Sequence, residues 1–296
     1  MTNPPIGSSI GSSPTKRLLF HAALILGGCL KPESINSSRP LSTPLQDSDQ
    51  SEVYEDPATH FLATGELGGG CGIHPDLIES QNFVALNVQN TPNDYSTWLP
   101  RPHHDAATKG IWDNGKNCGR WVRVTLSDDC ADGHVSGRKD EPKCARFQGD
   151  DKNGATADFV VTDSCQDDNR WCRDYPYHLD LSTASLKTFV KDGKNVGDLS
   201  QNWRNRKVQW KFIESPQKRP VEIHFVRNAQ LFWATIGITH LRNGIHGVRY
   251  QDRQGNWASA AMNGDNGQTY QINAKDDDGN FAIKIVDAQG REEPTV

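Results

Sequence analysis

Six of the seven cysteines, at positions 71, 118, 130, 144, 165 and 172, crowd into one stretch of the chain, and none follows Cys172. An even number confined to one region is what disulfides in an exported chain produce. Six cysteines allow fifteen pairings, so the sequence leaves the connectivity open. Zinc is the competing use, but the successive spacings from Cys118 to Cys172 are 12, 14, 21 and 7 residues. That pattern contains no CxxC pair, so no structural metal is expected.

The seventh cysteine belongs to a different texture. Lys16 and Arg17 precede the apolar run Leu18 to Leu26, LLFHAALIL. The run is too short to span a membrane as a mature helix but suits the apolar region of an export signal, here residues 1–28. Leu26-Gly27-Gly28-Cys29 resembles a bacterial lipobox, in which the cysteine is lipidated and becomes the new N-terminus, although His21 interrupts the apolar run. The expectation is a secreted or lipid-anchored extracellular protein, with any membrane attachment made through Cys29. Residues 29–53, rich in Ser, Pro, Asp and Gln, cannot bury enough apolar surface to form a core and read as a disordered tether. With 32 basic against 37 acidic side chains the formal net charge is -5, so no basic field exists to attract nucleic acid.

Two β-rich regions follow. From 54 to 216, Gly-rich loops separate strand candidates at Phe83–Val88, Gly119–Leu126, Ala157–Thr162 and Lys207–Ile213. In GRWVRVTL, Val122 and Val124 alternate with Arg123 and Thr125, the two-residue period of a half-buried strand. The pattern predicts a mostly antiparallel barrel or sandwich. One helix is predicted over STASLKTFV, with Ser182 as its cap and Leu186, Phe189 and Val190 as its apolar edge. From 217 to 296 the segments PVEIHFV, LFWATIGIT, GVRYQ, NWASAAM, QTYQIN and FAIKIVD recur at hairpin spacing, which predicts a compact β-sandwich.

The segments PATHFLATGELGGGCG (57–72), CGRWVRV (118–124), VVTDSC (160–165), YHLDLSTASL (177–186), VQWKFI (208–213) and LFWATIGITHLRNGIHGVRY (231–250) together resemble bacterial expansin-like proteins. That resemblance implies an all-β chain: a six-stranded double-psi β-barrel followed by an immunoglobulin-like carbohydrate-binding sandwich. It implies a polar site of Thr59, Asp163 and Asp180 in the open groove of the barrel, with Asp180 in the place of the general acid of related endoglucanases. Glycoside hydrolysis normally needs two carboxyl groups on opposite sides of the bond. The second is absent from its usual early motif, and neither Glu66 nor Asp105 is a convincing replacement. The implied activity is therefore binding and loosening of insoluble cell-wall polysaccharide by a monomer without conventional hydrolysis, and no cofactor. A carboxyl group lodged between Leu179 and Leu181 is expected to have a raised pKa.

Further binding candidates are Tyr177 and His178 beside that carboxylate, Trp171 and Tyr175 on the preceding loop, and Phe232 and Trp233 in the sandwich. Consecutive strand residues point to opposite faces, which makes Trp233 the better surface aromatic of its pair. Where the resemblance implies a third platform aromatic, Asn263 and Gly264 stand instead, with Trp257 and Tyr270 as nearby substitutes. Residues 128–174 carry twelve acidic and seven basic side chains. Such a surface favours neutral β-glucan, xylan or chitin over acidic pectin. Two other readings compete: a glycan-cleaving enzyme, either an endoglucanase or a peptidoglycan lytic transglycosylase, and a protease-inhibitor-like binding barrel. No phosphate loop, HExxH motif or nucleophile elbow occurs.

Overall fold

In a computed structural model the described residues are 52–62, 69–73, 78, 80–88, 110–132, 144–165, 171–172, 175–226, 229–230, 234–263, 269–272 and 280–292. The export signal, Cys29, the tether up to residue 51, Glu66, Asp105, Phe232 and Trp233 lie outside them. Residues Asp49–Val296 cluster as one compact unit. Among the described residues no helix is long and apolar enough to cross a membrane.

The strands, in chain order, are β1 (Tyr54–Phe61), β2 (Phe83–Asn87), β3 (Trp121–Leu126), β4 (Asp129–Cys130), β5 (Phe147–Gln148), β6 (Thr156–Cys165), β7 (Leu179–Ser182), β8 (Val190–Lys191), β9 (Lys194–Asn195) and β10 (Lys207–Ile213). After them come β11 (Glu222–Phe225), β12 (Ala234–Thr239), β13 (Gly247–Gln251), β14 (Trp257–Ser259), β15 (Ala261–Met262), β16 (Thr269–Ile272) and β17 (Ile283–Val286). The first large sheet runs β2-β7-β1-β10-β3-β6, and a further pairing of β2 with β6 joins its two ends. Six strands therefore close into a barrel, with the β8–β9 hairpin appended to β6. Closure leaves the barrel wall without a free edge.

The chain is all-β, as expected, and the barrel is mostly antiparallel, with two parallel pairings among its six. β1 runs parallel to β7 and β2 parallel to β6, while the other barrel pairings are antiparallel. Parallel neighbours need long connections, and these two pairs join segments that strand periodicity alone cannot match. The barrel interior takes Val84, Leu86, Val122, Val124, Phe159, Val161, Leu179 and Leu181, with Trp112, Trp203 and Trp210 filling the larger spaces.

The predicted helix over 182–190 is a shorter element. Ser182 caps it as expected, accepting from the Ser185 amide at 3.3 Å, but the coil is a five-residue 3-10 turn, Thr183–Lys187. The Ser185 hydroxyl donates to the Ser182 carbonyl at 2.6 Å, and Thr188 Oγ1 donates to the Ser185 carbonyl at 2.8 Å. Such local side-chain bonds compete with helix propagation. Phe189 is buried, whereas Val190 enters β8 and is exposed. Asp192 and Gly193, both at positive φ, then turn the chain into β9.

The C-terminal strands form a four-stranded sheet, β11-β12-β16-β15, and a three-stranded sheet, β14-β13-β17. Ile236, Ile238, Val248, Tyr270, Ile272, Ile283 and Ile285 pack as their common core. The segment read as one strand over NWASAAM is two, β14 and β15: the Ala260 amide still bonds to the Val248 carbonyl of β13, and from Ala261 the chain pairs with β16 of the other sheet. All six cysteines in the barrel region pair: Cys71 with Cys118, Cys130 with Cys144, and Cys165 with Cys172. Cys165 and Cys172 approach His178, and Cys130 and Cys144 approach Asp132, but sulfurs bonded to each other have no thiolate to offer a metal.

Candidate functional site

The LDL segment of β7 alternates as a strand must: Leu179 and Leu181 point into the barrel and Asp180 points out. On one side Asp180 is in register with Thr59 of β1, and on the other with Ala85 of β2. Ala85 is in register with Asp163 of β6. Four strands thus place Thr59, Asp180, Ala85 and Asp163 in one row on the outer face of the barrel wall.

A β-bulge completes this row. Val84 pairs with Val161, but the next partner of β2 is Asp163 rather than Thr162. Without the extra residue, Thr162 would stand opposite Ala85 and Asp163 would take the other face. The small side chain of Ala85 then leaves the two aspartates facing each other across it.

Hydrogen bonds fix the row. Thr59 Oγ1 lies 2.8 Å from Asp180 Oδ1 and 2.8 Å from His178 Nε2. Asp163 Oδ1 accepts from the amides of Gly70 at 2.6 Å and Ser164 at 2.8 Å. Gly69 has φ +60, and a Cβ there would come within 2.5 Å of the Asp163 carboxyl carbon. The glycine run therefore serves close approach as well as a backbone conformation that side chains disfavour. The supports lie on core side chains: Trp203 Nε1 donates to the Ala58 carbonyl at 2.8 Å, and Trp210 Nε1 to the Tyr177 carbonyl at 2.9 Å. Asn87 Nδ2 donates to the carbonyls of Cys172 and Tyr175, holding the segment that leads into β7.

Burial sets the protonation. It pushes Asp180 up to about 7, against the Thr59 hydrogen bond and with help from the Asp163 charge. Burial also raises Asp163, although the Gly70 and Ser164 amides oppose that shift. His178 is fully buried and drawn down to about 3, so it is neutral across the ordinary pH range. Asp180 itself keeps some surface open. The arrangement offers one carboxyl group, protonated under mildly acidic conditions, on an outward wall.

No protein-family model and no curated protein matches the chain. Two crystal structures of the expansin of Clavibacter michiganensis, one apo and one an aspartate-to-asparagine variant in complex with cellohexaose, superpose on it. In each case the TM-score is 0.51 at 17% identity, over 83% of this chain and 90% of the other. The chain has the fold of a bacterial expansin.

Of the residues the expansin resemblance pointed to, Thr59, Asp163 and Asp180 share the row just described. His178 is fully buried, so its ring reaches the groove only through Thr59. Trp171 is 1% exposed, stacked on Tyr175 at 5.4 Å and on His178 at 6.2 Å, which leaves it no free face for a sugar. Tyr175 and Tyr177 are half-buried, and Tyr177 packs on Tyr54 at 4.9 Å. In the C-terminal sheets Tyr270 is 2% exposed and belongs to the core. Trp257 is half-buried with Lys284 Nζ 4.7 Å over its ring.

An exposed aromatic that the sequence reading passed over is Phe225, 55% exposed at the end of β11 and 5.8 Å from Phe281. Its segment, PVEIHFV, reads as an ordinary strand. The available signal was its place on an edge strand, which strand alternation does not reveal.

Proposed function

We propose that this protein is an exported, expansin-like binder and loosener of neutral cell-wall polysaccharide, cellulose or a related β-glucan, acting without conventional hydrolysis. In this reading residues 54–216 form the barrel that grips the glycan and residues 217–296 a carbohydrate-binding sandwich, for which Phe232 and Trp233, outside the described residues, are the candidate glycan contacts. The observation that carries it is the row of Thr59, Asp180 and Asp163, in which Asp163 Oδ1 is already committed to two backbone amides. That commitment suits a group that positions its neighbours rather than the second carboxylate that glycoside cleavage normally needs. Asp180, protonated under mildly acidic conditions, can donate to a hydroxyl or glycosidic oxygen of a glycan and hold the chain under strain.

Secretion, and lipid anchoring through Cys29, belong to the same proposal and rest on the leader alone. The acidic balance of residues 128–174 supports a neutral polymer over an acidic one. The test is a sedimentation panel with insoluble cellulose, xylan, chitin and peptidoglycan, followed by assay for reducing ends and anhydro-sugars. Binding to a neutral glycan without soluble products is expected. Release of products that disappears in Asp180→Asn would make the protein a glycan-cleaving enzyme instead.

A further inference from the structure

We propose that Phe61 is the sugar-stacking residue of the candidate groove: its ring takes the C–H face of a pyranose in a neutral, all-equatorial β-linked chain, while Asp180 beside it meets the hydroxyls. This rests on the reading of the Thr59, Asp180 and Asp163 row as the part of the barrel that grips a glycan.

The placement follows from strand period. Phe61 is two residues beyond Thr59 on β1, so it takes the same outer face about 7 Å farther along. The face of a sheet turned away from its core is commonly solvated and polar, yet around Phe61 it is apolar. Phe83, Trp121 and Val160, outward residues of β2, β3 and β6, form a buried cluster against which Phe61 packs. Its ring meets that of Phe83 edge to face at 5.6 Å. Phe61 also packs on Ala85, Cys165 and Cys172. Ala85 is the residue that separates Asp180 from Asp163, and Cys165 Sγ lies 3.8 Å from Asp180 Oδ2. The ring therefore borders the polar row directly.

Exposure separates Phe61 from the rings and side chains behind it. Phe83, Trp121 and Val160 are 6%, 2% and 4% exposed, whereas Phe61 is half-buried. All of its contacts named above lie in the wall. The surface that Phe61 keeps open accordingly faces away from the wall, where a chain laid along the row would run.

Chemistry names the ligand. In an all-equatorial pyranose every axial bond carries hydrogen, so each ring face is apolar while the rim is a belt of hydroxyls. Such a sugar needs an apolar plane beside hydrogen-bonding groups. An aromatic side chain supplies that plane with only two torsions to freeze. Phe61 has no polar atom in its side chain, so an axial hydroxyl or a carboxylate turned toward it would lose water without gaining a partner. The pairing of this ring with Asp180 thus favours glucan, xylan or chitin chains over acidic or axially substituted ones.

The test is an NMR titration of the protein with cellohexaose, its aromatic rings labelled with 13C, together with affinities for Phe61→Leu and Phe61→Trp. Nuclear Overhauser effects from pyranose C–H protons to the Phe61 ring are expected, and their loss in Phe61→Leu checks the assignment. Leucine keeps apolar cover over Ala85 and the disulfide but removes the aromatic plane, so affinity is expected to fall roughly three- to tenfold. Phe61→Trp is expected to retain it.

Effects that reach only Phe232 or Trp233, with affinity unchanged in Phe61→Leu, would overturn the proposal and leave glycan binding by the chain standing. A loss of affinity in Phe61→Leu without ring contacts in the wild type would show that Phe61 only supports the wall, and would overturn it as well. No binding of cellohexaose by the wild type would overturn the underlying reading, and the role of Phe61 with it.

Discussion

The barrel wall and the C-terminal sheets solve the problem of a β-rich surface in opposite ways. In the barrel, residues far apart in sequence meet on adjacent strands. Thr59 and Asp180 are 121 positions apart, and the Asp163 carboxyl bonds to an amide 93 positions away. In the C-terminal sheets, β13 pairs with the nearby β14 and β15 with β16, around a core that is largely isoleucine. The barrel holds three disulfides, and no cysteine lies beyond residue 172. Long-range closure costs more chain entropy than local hairpins do, so cross-links accumulate where the polar site is built. The site's geometry is thus tied to the region whose assembly is entropically most expensive.

That contrast can be broken most forcefully at Cys71–Cys118, which spans 47 residues and fixes the turn that carries Gly69 and Gly70. By the loop-entropy relation, Cys71→Ser with Cys118→Ser is expected to cost about 4 kcal/mol. Hydrogen exchange should show barrel amides such as those of β2 and β6 losing protection first, while Ile236 and Ile238 keep theirs. If both regions lose protection together, the two do not differ as independent stability units. The junction gives a concrete route for such coupling. Arg120 of the barrel stacks on Phe212 at 3.5 Å beneath Gly244, and the Ser215 amide donates to the Arg242 carbonyl at 2.7 Å.

A smaller effect comes from the charge on the row. Asp180 is raised from 3.8 to about 7, so between those values the folded state binds more proton than the unfolded state. Stability from this group is complete below about pH 4 and falls as pH rises toward 7, by at most about 4 kcal/mol. His178 acts in the other sense: its folded pKa is depressed to about 3, so its contribution is present above its unfolded value and is lost as pH falls. Asp180→Asn is expected to gain stability relative to wild type at pH 8 and to lose that advantage at pH 5, measured by urea unfolding. A difference between the two proteins that does not vary with pH would remove the buried acid from the account.

Much of this architecture is legible in the sequence, and the gaps have physical causes. Alternation located Lys207–Ile213 and Gly247–Gln251 to the residue, because each segment has neighbours that reward a two-residue period. The two parallel pairings were not legible, since period says which face a residue takes but not which strand lies beside it. Nor was the bulge that turns Asp163 toward Asp180, because it depends on the register of β2 against β6. The disulfide count was fixed by number, while the pairing needed the fold. His178 and Trp171 read as sugar contacts because burial cannot be told from composition in a loop-rich segment. They support the wall from behind instead.

The smallest effect tests whether the C-terminal sheets depend on charge at all. Glu292 joins Arg249 of β13 at 3.4 Å and Lys284 of β17 at 3.1 Å, and all three side chains reach solvent. Such pairs gain little, because water screens the attraction and ordering long side chains costs entropy. Glu292→Gln is therefore expected to cost less than about 1 kcal/mol at low salt and to converge on wild type as salt rises. A larger, salt-independent loss in a denaturant titration would mean that Glu292 holds β13 against β17 structurally. The C-terminal sheets would then share with the barrel a dependence on specific polar pairing, and the contrast between an apolar region and a polar, cross-linked one would lose its basis.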